Sequence, residues 1–276
     1  MRNKGGRSLN YLRFSAFYLV AVISAVIFFV VPLQAEIDPY YKPQLEQLTA
    51  KLKIQGFTDD ELDRIFSDSR VMLYAKIVEK KGKGLDYFNR KFGLLTKKSI
   101  ERGQKILREN RESFQKIEAL FGVDKEVILG ILRVETNFGT STGNYPVFNS
   151  LLTMTLIENR RSSWAETELI ELLRICKEQN KDPLSIKGSW AGAFGICQFI
   201  PSSYINFAVD GDSDGKIDLF DFHDAVASIA NYLKAHGFEK NKPLRNREAV
   251  YAYNHCDNYV RAIFAYAKAS KRRATS

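Results

Sequence analysis

Apolar residues recur at spacings of three and four along most of this chain, and β-branched alternation is scarce. That period buries one face of a helix and cannot serve a strand, so the pattern confines the chain to a mainly α architecture. "KPQLEQLTAKLKIQGF" reads as a helix ending on Gly56, and "TDDELDRIF" restarts with Thr58 as cap and Glu61 three residues later, a capping box. The stretch "TKKSIERGQKILRENRESFQKIEALFG" predicts one long amphipathic helix with Ile100, Ile106, Phe114, Ile117 and Leu120 or Phe121 facing inward. "EKKGKGLDYFNRKFG" before it reads as a connector. Helical patterns resume over 146–180, in "DAVASIANYLKAHGF" and in "NREAVYAYNHCDNYVRAIFAYAKA", separated by a Gly-rich passage. With 276 residues, 45% of them apolar and 26% charged, the chain can bury a core as one large or two small domains.

The first 35 residues stand apart. Arg2, Lys4, Arg7 and Arg13 precede an apolar run from Phe14 to Val31, and "VPLQA" ends at Ala35. This is the plan of a secretory signal peptide cut after Ala35; the rival is an uncleaved anchor associating with the membrane through residues 14–31. No cysteine follows the run to carry a lipid. Export to the periplasm or cell envelope is the expectation either way. Removing residues 1–35 takes four basic and no acidic residues, so the formal +9 of the whole chain falls to +5. That modest excess suits an anionic wall polymer or a solvated surface, and with no nucleic-acid motif it gives no reason to expect such a partner.

Cys176, Cys197 and Cys256 do not make a disulfide framework, and there is no CxxC or HExxH to suggest zinc. Cys176 falls on the helical stripe of Leu169, Leu172 and Leu173, as a small core residue would. A bridge between Cys197 and Cys256 is left open. "GTSTG", residues 139–143, has the spacing of a nucleophile elbow, but a helix precedes it where that device needs a strand, which argues against Ser141 as a nucleophile.

Residues 210–221, "DGDSDGKIDLFD", match an EF-hand loop. Oxygen ligands at positions 1, 3, 5, 7, 9 and 12 fall on Asp210, Asp212, Asp214, the Lys216 carbonyl, Asp218 and Asp221, with Gly215 at the sharp turn and Ile217 at the apolar position. Carboxylates this close repel unless a cation sits among them, so a structural calcium ion is expected. Asp221 stands where a longer Glu is usual and reaches less far.

One helix carries a carboxylate where burial would cost energy. In "DKEVILGILRVETNFG", Asp124 is placed to start the helix and Gly139 to end it, and Val127, Ile131, Val134 and Phe138 form the apolar face that Glu135 borders. Three readings stand from the pattern alone: a general acid with a raised pKa, a surface Glu at the helix edge, or a partner of Arg133 or Arg161.

"GILRVETNFG", "ENRRSSW", "KGSWAGAFGICQFIPSSY", the EF-hand loop and "YAYNH" occur in the order seen in bacterial lytic murein transglycosylases, and from about residue 45 onward the chain resembles the membrane-bound lytic transglycosylase B family. The resemblance implies an α+β lysozyme-like core: a helical N-terminal region, 36–123, packed on a catalytic domain, 124–276, in which a small sheet and a helix bundle flank a groove. It implies Glu135 as the catalytic acid, and Ser189, Gln198, Tyr253, Asn254, Arg160 and Arg161 as contacts to peptidoglycan glycan strands. It also implies a monomeric enzyme forming 1,6-anhydro-N-acetylmuramic acid ends. A hydrolysing muramidase and a non-catalytic wall- or calcium-binding scaffold are the alternatives. The segment between the EF-hand helix and "YAYNH" is short for the family, which reduces one wall of the groove.

Overall fold

The computed structural model describes residues 37–79 and 85–272, all within one compact unit of the chain; the expected signal segment, 1–35, lies outside the described residues. Among the described residues, eleven α-helices run in the order α1 (Lys42–Ile54), α2 (Asp59–Phe66), α3 (Lys97–Glu109), α4 (Arg111–Phe121), α5 (Lys125–Thr136), α6 (Val147–Leu156), α7 (Ser162–Glu178), α8 (Pro201–Phe207), α9 (Phe222–Ala235), α10 (Pro243–Tyr253) and α11 (Asp257–Arg272). Among the described residues, the only sheet is a pair of two-residue strands, β1 (Tyr145–Pro146) and β2 (Lys187–Gly188), antiparallel with Tyr145 opposite Gly188. The fold is thus mainly helical, with the small sheet of a lysozyme-like core. No described helix is long and apolar enough to cross a membrane.

The capping box forms as read: the Thr58 hydroxyl accepts from the Glu61 amide and the Glu61 carboxylate from the Thr58 amide. The long helix expected over 97–121 is two helices. Asn110, with φ −114° and ψ 32°, leaves the helical region, and its side-chain amide donates to the Ile106 carbonyl at the end of α3. That break lets α3 lie against α11 and α5 while α4 turns to meet α9.

Helix α5 lies at the centre of the described unit. Residues 126 to 133 along it are all buried, and it packs against α3, α4, α9 and α11. Close approach needs a missing side chain: a Cβ on Gly130 would lie 3.0 Å from the Ile263 carbonyl of α11. Arg133 is buried among these helices with no acidic partner among the described residues. Its guanidinium donates to Ser99 Oγ (2.8 Å) and the Phe92 carbonyl (2.7 Å) and lies over the Phe92 ring, which satisfies it by hydrogen bonds.

The helix also ends differently from its expected course. Asp124 is the N-cap residue but its side chain caps nothing, and the helix stops at Thr136, ahead of Gly139. Asn137, Phe138 and Gly139 then follow one another in the left-handed region, at φ 50°, 60° and 80°. Two non-glycine residues in that region store backbone strain. It is held by Phe138, buried beneath Arg102 and beside Tyr266, and by the Thr136 hydroxyl, which donates to the Ile196 carbonyl and accepts from the Gly139 amide.

Candidate active site

The strained turn ends α5 with Glu135 in its last turn. The Glu135 carboxyl forms no ion pair among the described residues: Arg133 points to Ser99 and Phe92, and Arg161 to two tryptophans. Its one hydrogen bond comes from the hydroxyl of Tyr259, a fully buried residue of α11, which donates to Glu135 Oε1 at 2.6 Å. Tyr259 is backed by Tyr87 (ring centroids 5.8 Å apart, edge to face) and by Tyr253 (6.4 Å, stacked). Glu135 as a residue keeps some exposure, yet its carboxyl lies deep among these rings. Loss of water raises its pKa to about 7, against the lowering pull of the Tyr259 hydroxyl, and no other carboxylate contributes.

The opposite side is built from backbone. A Cβ on Gly143 would fall 2.1 Å from the Gly188 carbonyl oxygen, and one on Gly188 would fall 2.1 Å from the Ala193 carbonyl oxygen. Three chain segments therefore stack at distances only glycine allows. In this stack the Ser189 amide donates to the Ala193 carbonyl, and Ser189 Oγ accepts from the Ala191 and Ala193 amides. Gln198, at φ 53°, donates through Nε2 to the Thr142 and Gly195 carbonyls, tying the Gly-rich loop to the turn after α5. Gly192 and Gly195 serve packing, since a Cβ would meet Leu151 and the Leu219 backbone respectively.

The remaining expected site residues divide. Tyr253 joins this cluster; its hydroxyl donates to the Cys197 carbonyl at 2.5 Å. Asn254 follows as the C-cap of α10, half-buried, its side-chain amide unbonded within the described residues. Arg161 lies 4.4 Å over Trp164 and 6.0 Å from the ring of Trp190, next to Ser189, so it is carried to the same Gly-rich loop; burial and the neighbouring Arg160 lower its pKa. Arg160 is exposed. All three cysteines are free thiols, and burial pushes the Cys176 thiol up to about 12 and that of Cys197 higher still.

Tyr259 and Tyr87 did not emerge from the sequence. Each is an aromatic residue in an apolar setting, indistinguishable from core until the fold sets it beside Glu135.

The acidic loop between α8 and α9 gathers a second cluster of carboxylates. Asp210, Asp212 and Asp224 bring one carboxylate oxygen each within 4.8 Å of one another. Asp224, in the first turn of α9 and 3% exposed, was not among the expected ligands, although an acid just past the loop was visible in the sequence. Its carboxylate accepts from the Gly211 and Asp218 amides, fastening both ends of the loop. Asp221 instead caps α9, accepting from the His223 and Asp224 amides, while Asp214 and Asp218 accept from Lys216 and Phe220 within the loop. Gly215 holds the sharp turn at φ 85°. A converging set of hard oxygen donors fits a cation such as calcium.

A helical core whose central helix delivers one desolvated carboxyl to a glycine-built loop defines a lysozyme-like protein of the lytic transglycosylase type. The chain belongs to the Transglycosylase SLT domain family, whose pattern it matches over residues 40–247. It is 37% identical over 153 residues to membrane-bound lytic murein transglycosylase B of Escherichia coli (strain K12), covering 55% of this chain and 42% of that one, so the match spans less than half the relative's length. The fold is also that of the E. coli lytic transglycosylase Slt35 in complex with calcium (TM-score 0.76, 24% identity, 86% of this chain and 94% of that). SltB3 of Pseudomonas aeruginosa in complex with NAG-anhNAM-pentapeptide shares it as well (TM-score 0.74, 24% identity, 84% and 79%).

Proposed function

We propose that this protein is a peptidoglycan lytic transglycosylase. It cleaves the β-1,4 bond between N-acetylmuramic acid and N-acetylglucosamine, leaving 1,6-anhydro-muramyl ends. One observation carries the reading: the Glu135 carboxyl lies at the end of α5 among Tyr259, Tyr87 and Tyr253, bonded to the Tyr259 hydroxyl, and burial raises its pKa with no second carboxylate acting on it. Two-carboxyl glycosidases need a partner acid as nucleophile or base. A single carboxyl suffices if the substrate supplies its own nucleophile. Protonated Glu135 gives its proton to the leaving glycosidic oxygen; the resulting carboxylate then takes the proton of the muramic 6-hydroxyl, whose oxygen closes on the anomeric carbon. Glu135 ends protonated, ready for the next turn, and the proton count balances. Tethering the nucleophile to the electrophile supplies much of the rate.

Ser189, Gln198, Tyr253 and Asn254 orient the sugar in this reading, and Arg160 and Arg161 line the groove. The names of the relatives, and the anhydro sugar bound to SltB3, support the same chemistry. In the same reading the helical region 36–123 packs on the catalytic part, 124–276, and residues 1–35 direct a monomeric enzyme to the cell envelope.

Mass spectrometry of the products from purified peptidoglycan tests the assignment. Anhydro-muramyl ends are expected. Reducing ends would make the protein a hydrolysing muramidase, and no release would make it a scaffold.

The pH profile has a defined sign. The competent resting form is protonated, so kcat/KM should fall about tenfold per pH unit above a midpoint near 7, with no loss from Glu135 on the acid side. A profile rising through pH 7 would contradict the acid role.

The loop of Asp210, Asp212 and Asp224 binds calcium in a structural role, Slt35 being the relative known with that ion. At a hundredfold excess over Kd, calcium adds about 2.7 kcal/mol. Chelation should therefore lower Tm by roughly 5–10 °C, reversed by added calcium. An unchanged melting curve would remove the structural metal.

A further inference from the structure

Glu168, on α7, is 3% exposed and forms no ion pair among the described residues, and the proposed reaction gives it no task. Burial raises its pKa, against the lowering pull of two bonds from one residue. The Ser202 amide donates to Oε2 at 2.9 Å, and the Ser202 hydroxyl to Oε1 at 2.8 Å. A buried carboxylate without a cation costs energy. Capping α8 does not require it: Ile200 holds the N-cap position and its side chain caps nothing, where a serine or threonine would do so locally. What the bond from α7 adds is a fixed point for the chain that enters α8.

That chain is the Gly-rich loop. Gly192, Gly195 and Gln198 all have left-handed φ, at 91°, 76° and 53°, and Gln198 adopts it without a glycine's freedom. Gln198 Nε2 is occupied by the Thr142 and Gly195 carbonyls, which leaves Oε1 to accept from a sugar hydroxyl. Where that oxygen points depends on how the backbone is held on either side. Behind Gln198, the Ile196 amide donates to the Leu219 carbonyl, and the Ile196 carbonyl accepts from the Thr136 hydroxyl. Ahead of it, the Phe199 carbonyl accepts from the Phe194 amide, and Ser202 follows four residues beyond Gln198. The same face of α7 also meets the start of the loop: Trp164, one turn before Glu168, shares the Arg161 guanidinium with Trp190. One helix thus holds the loop at Trp190 and at Ser202, and Gln198 lies between the two points.

We propose that Glu168 is a positioning residue: by anchoring Ser202 it fixes the strained backbone of Gln198, so that the Gln198 side chain meets the sugar in its reactive orientation. The inference rests on the transglycosylase reading, in which Gln198 orients the sugar. Glu168 touches no substrate and exchanges no proton with it.

A double-mutant cycle tests this, with kcat and KM measured on purified peptidoglycan well below the Tm of each variant. Glu168→Gln keeps the shape of the side chain, but its amide nitrogen cannot accept, so one of the two Ser202 bonds is lost. It should lower kcat about tenfold, short of the ~10²-fold that a 1 Å misplacement costs, and change KM less. In a Gln198→Ala background, which has already lost the oriented side chain, Glu168→Gln should lower kcat no further. Ser202→Ala drops the hydroxyl bond from the less buried side, and it takes the place of Glu168→Gln in the cycle should that variant not fold. A role in folding alone predicts a lower Tm at unchanged kcat, or losses that add in the double variant. Either result, with an active wild type, overturns the inference alone. A wild type that releases no anhydro-muramyl products overturns the transglycosylase reading and takes this inference with it.

Discussion

Glu135→Gln should lose turnover by 10²–10⁴-fold, the range a positioned general acid contributes, while gaining stability at pH 8. The activity loss follows from geometry: the amide can still accept from the Tyr259 hydroxyl but has no proton to give a leaving oxygen. The stability gain follows from linkage. Burial raises the Glu135 pKa from 4.5 to about 7, so ionising it in the folded state costs energy that the unfolded chain does not spend. Below pH 4.5 the group is protonated in both states and imposes no penalty. Between 4.5 and 7 the penalty grows as pH rises, and above 7 it is complete, at about 3 kcal/mol from 1.36 kcal/mol per unit. The wild-type Tm should therefore fall below that of Glu135→Gln by several degrees at pH 8, and the two should converge at pH 4.5. A variant that is inactive yet no more stable at pH 8 would mean the carboxyl is better solvated than its ring of tyrosines implies. One that cleaves at the wild-type rate would remove Glu135 from the mechanism.

That pairing of lost function with gained stability explains what could be read from the sequence and what could not. Glu135 was legible because it breaks a local rule: a carboxylate on the border of an apolar helical stripe. The capping box at Thr58 and Glu61 was legible because its partners lie three residues apart. Features that depend on distant chain were not. Tyr259 reaches Glu135 across 124 positions, and along α11 it has the spacing of core aromatics such as Tyr266. The break at Asn110 was hidden because apolar periodicity continues through it, and only the divergent packing of α3 and α4 requires two axes. Asp224 was passed over because loop counting stops at Asp221, whereas the helix that follows turns its first acidic side chain back over the loop. Asn137 suits the left-handed region, as asparagine at a helix end commonly does, but Phe138 carries no such signal; the Ile196 carbonyl and the bed of Phe138 hold it there.

Gly143→Ala should be the most damaging single-methyl addition near the site. Its effects should exceed those of Gly122→Ala, a substitution with the same kind of backbone strain. Both glycines have positive φ, 101° and 69°, so each alanine adds conformational strain of about 1–2 kcal/mol. A Cβ at Gly122 meets nothing within 4 Å, and there the cost stops. At Gly143 the Cβ would lie 2.1 Å from the Gly188 carbonyl oxygen and 2.7 Å from the Ser189 amide nitrogen, and these are backbone atoms that no rotamer change can move aside. The Gly188–Ser189 peptide must shift, carrying β2 away from β1 and loosening the Thr142 carbonyl that anchors Gln198. Overpacking of this kind adds roughly 1–3 kcal/mol to the strain, for a Tm loss of about 5–15 °C. Activity should fall further than the folded fraction does, because a displacement near 1 Å in groups that position substrate costs on the order of 10²-fold. Thermal melts and kcat/KM measured well below Tm separate the two effects. If Gly143→Ala melts lower but retains full kcat/KM at low temperature, the Ser189–Gln198 side of the groove does not position the sugar. If it matches Gly122→Ala in both measurements, the close stacking of the three glycine-bearing segments is not what shapes the site.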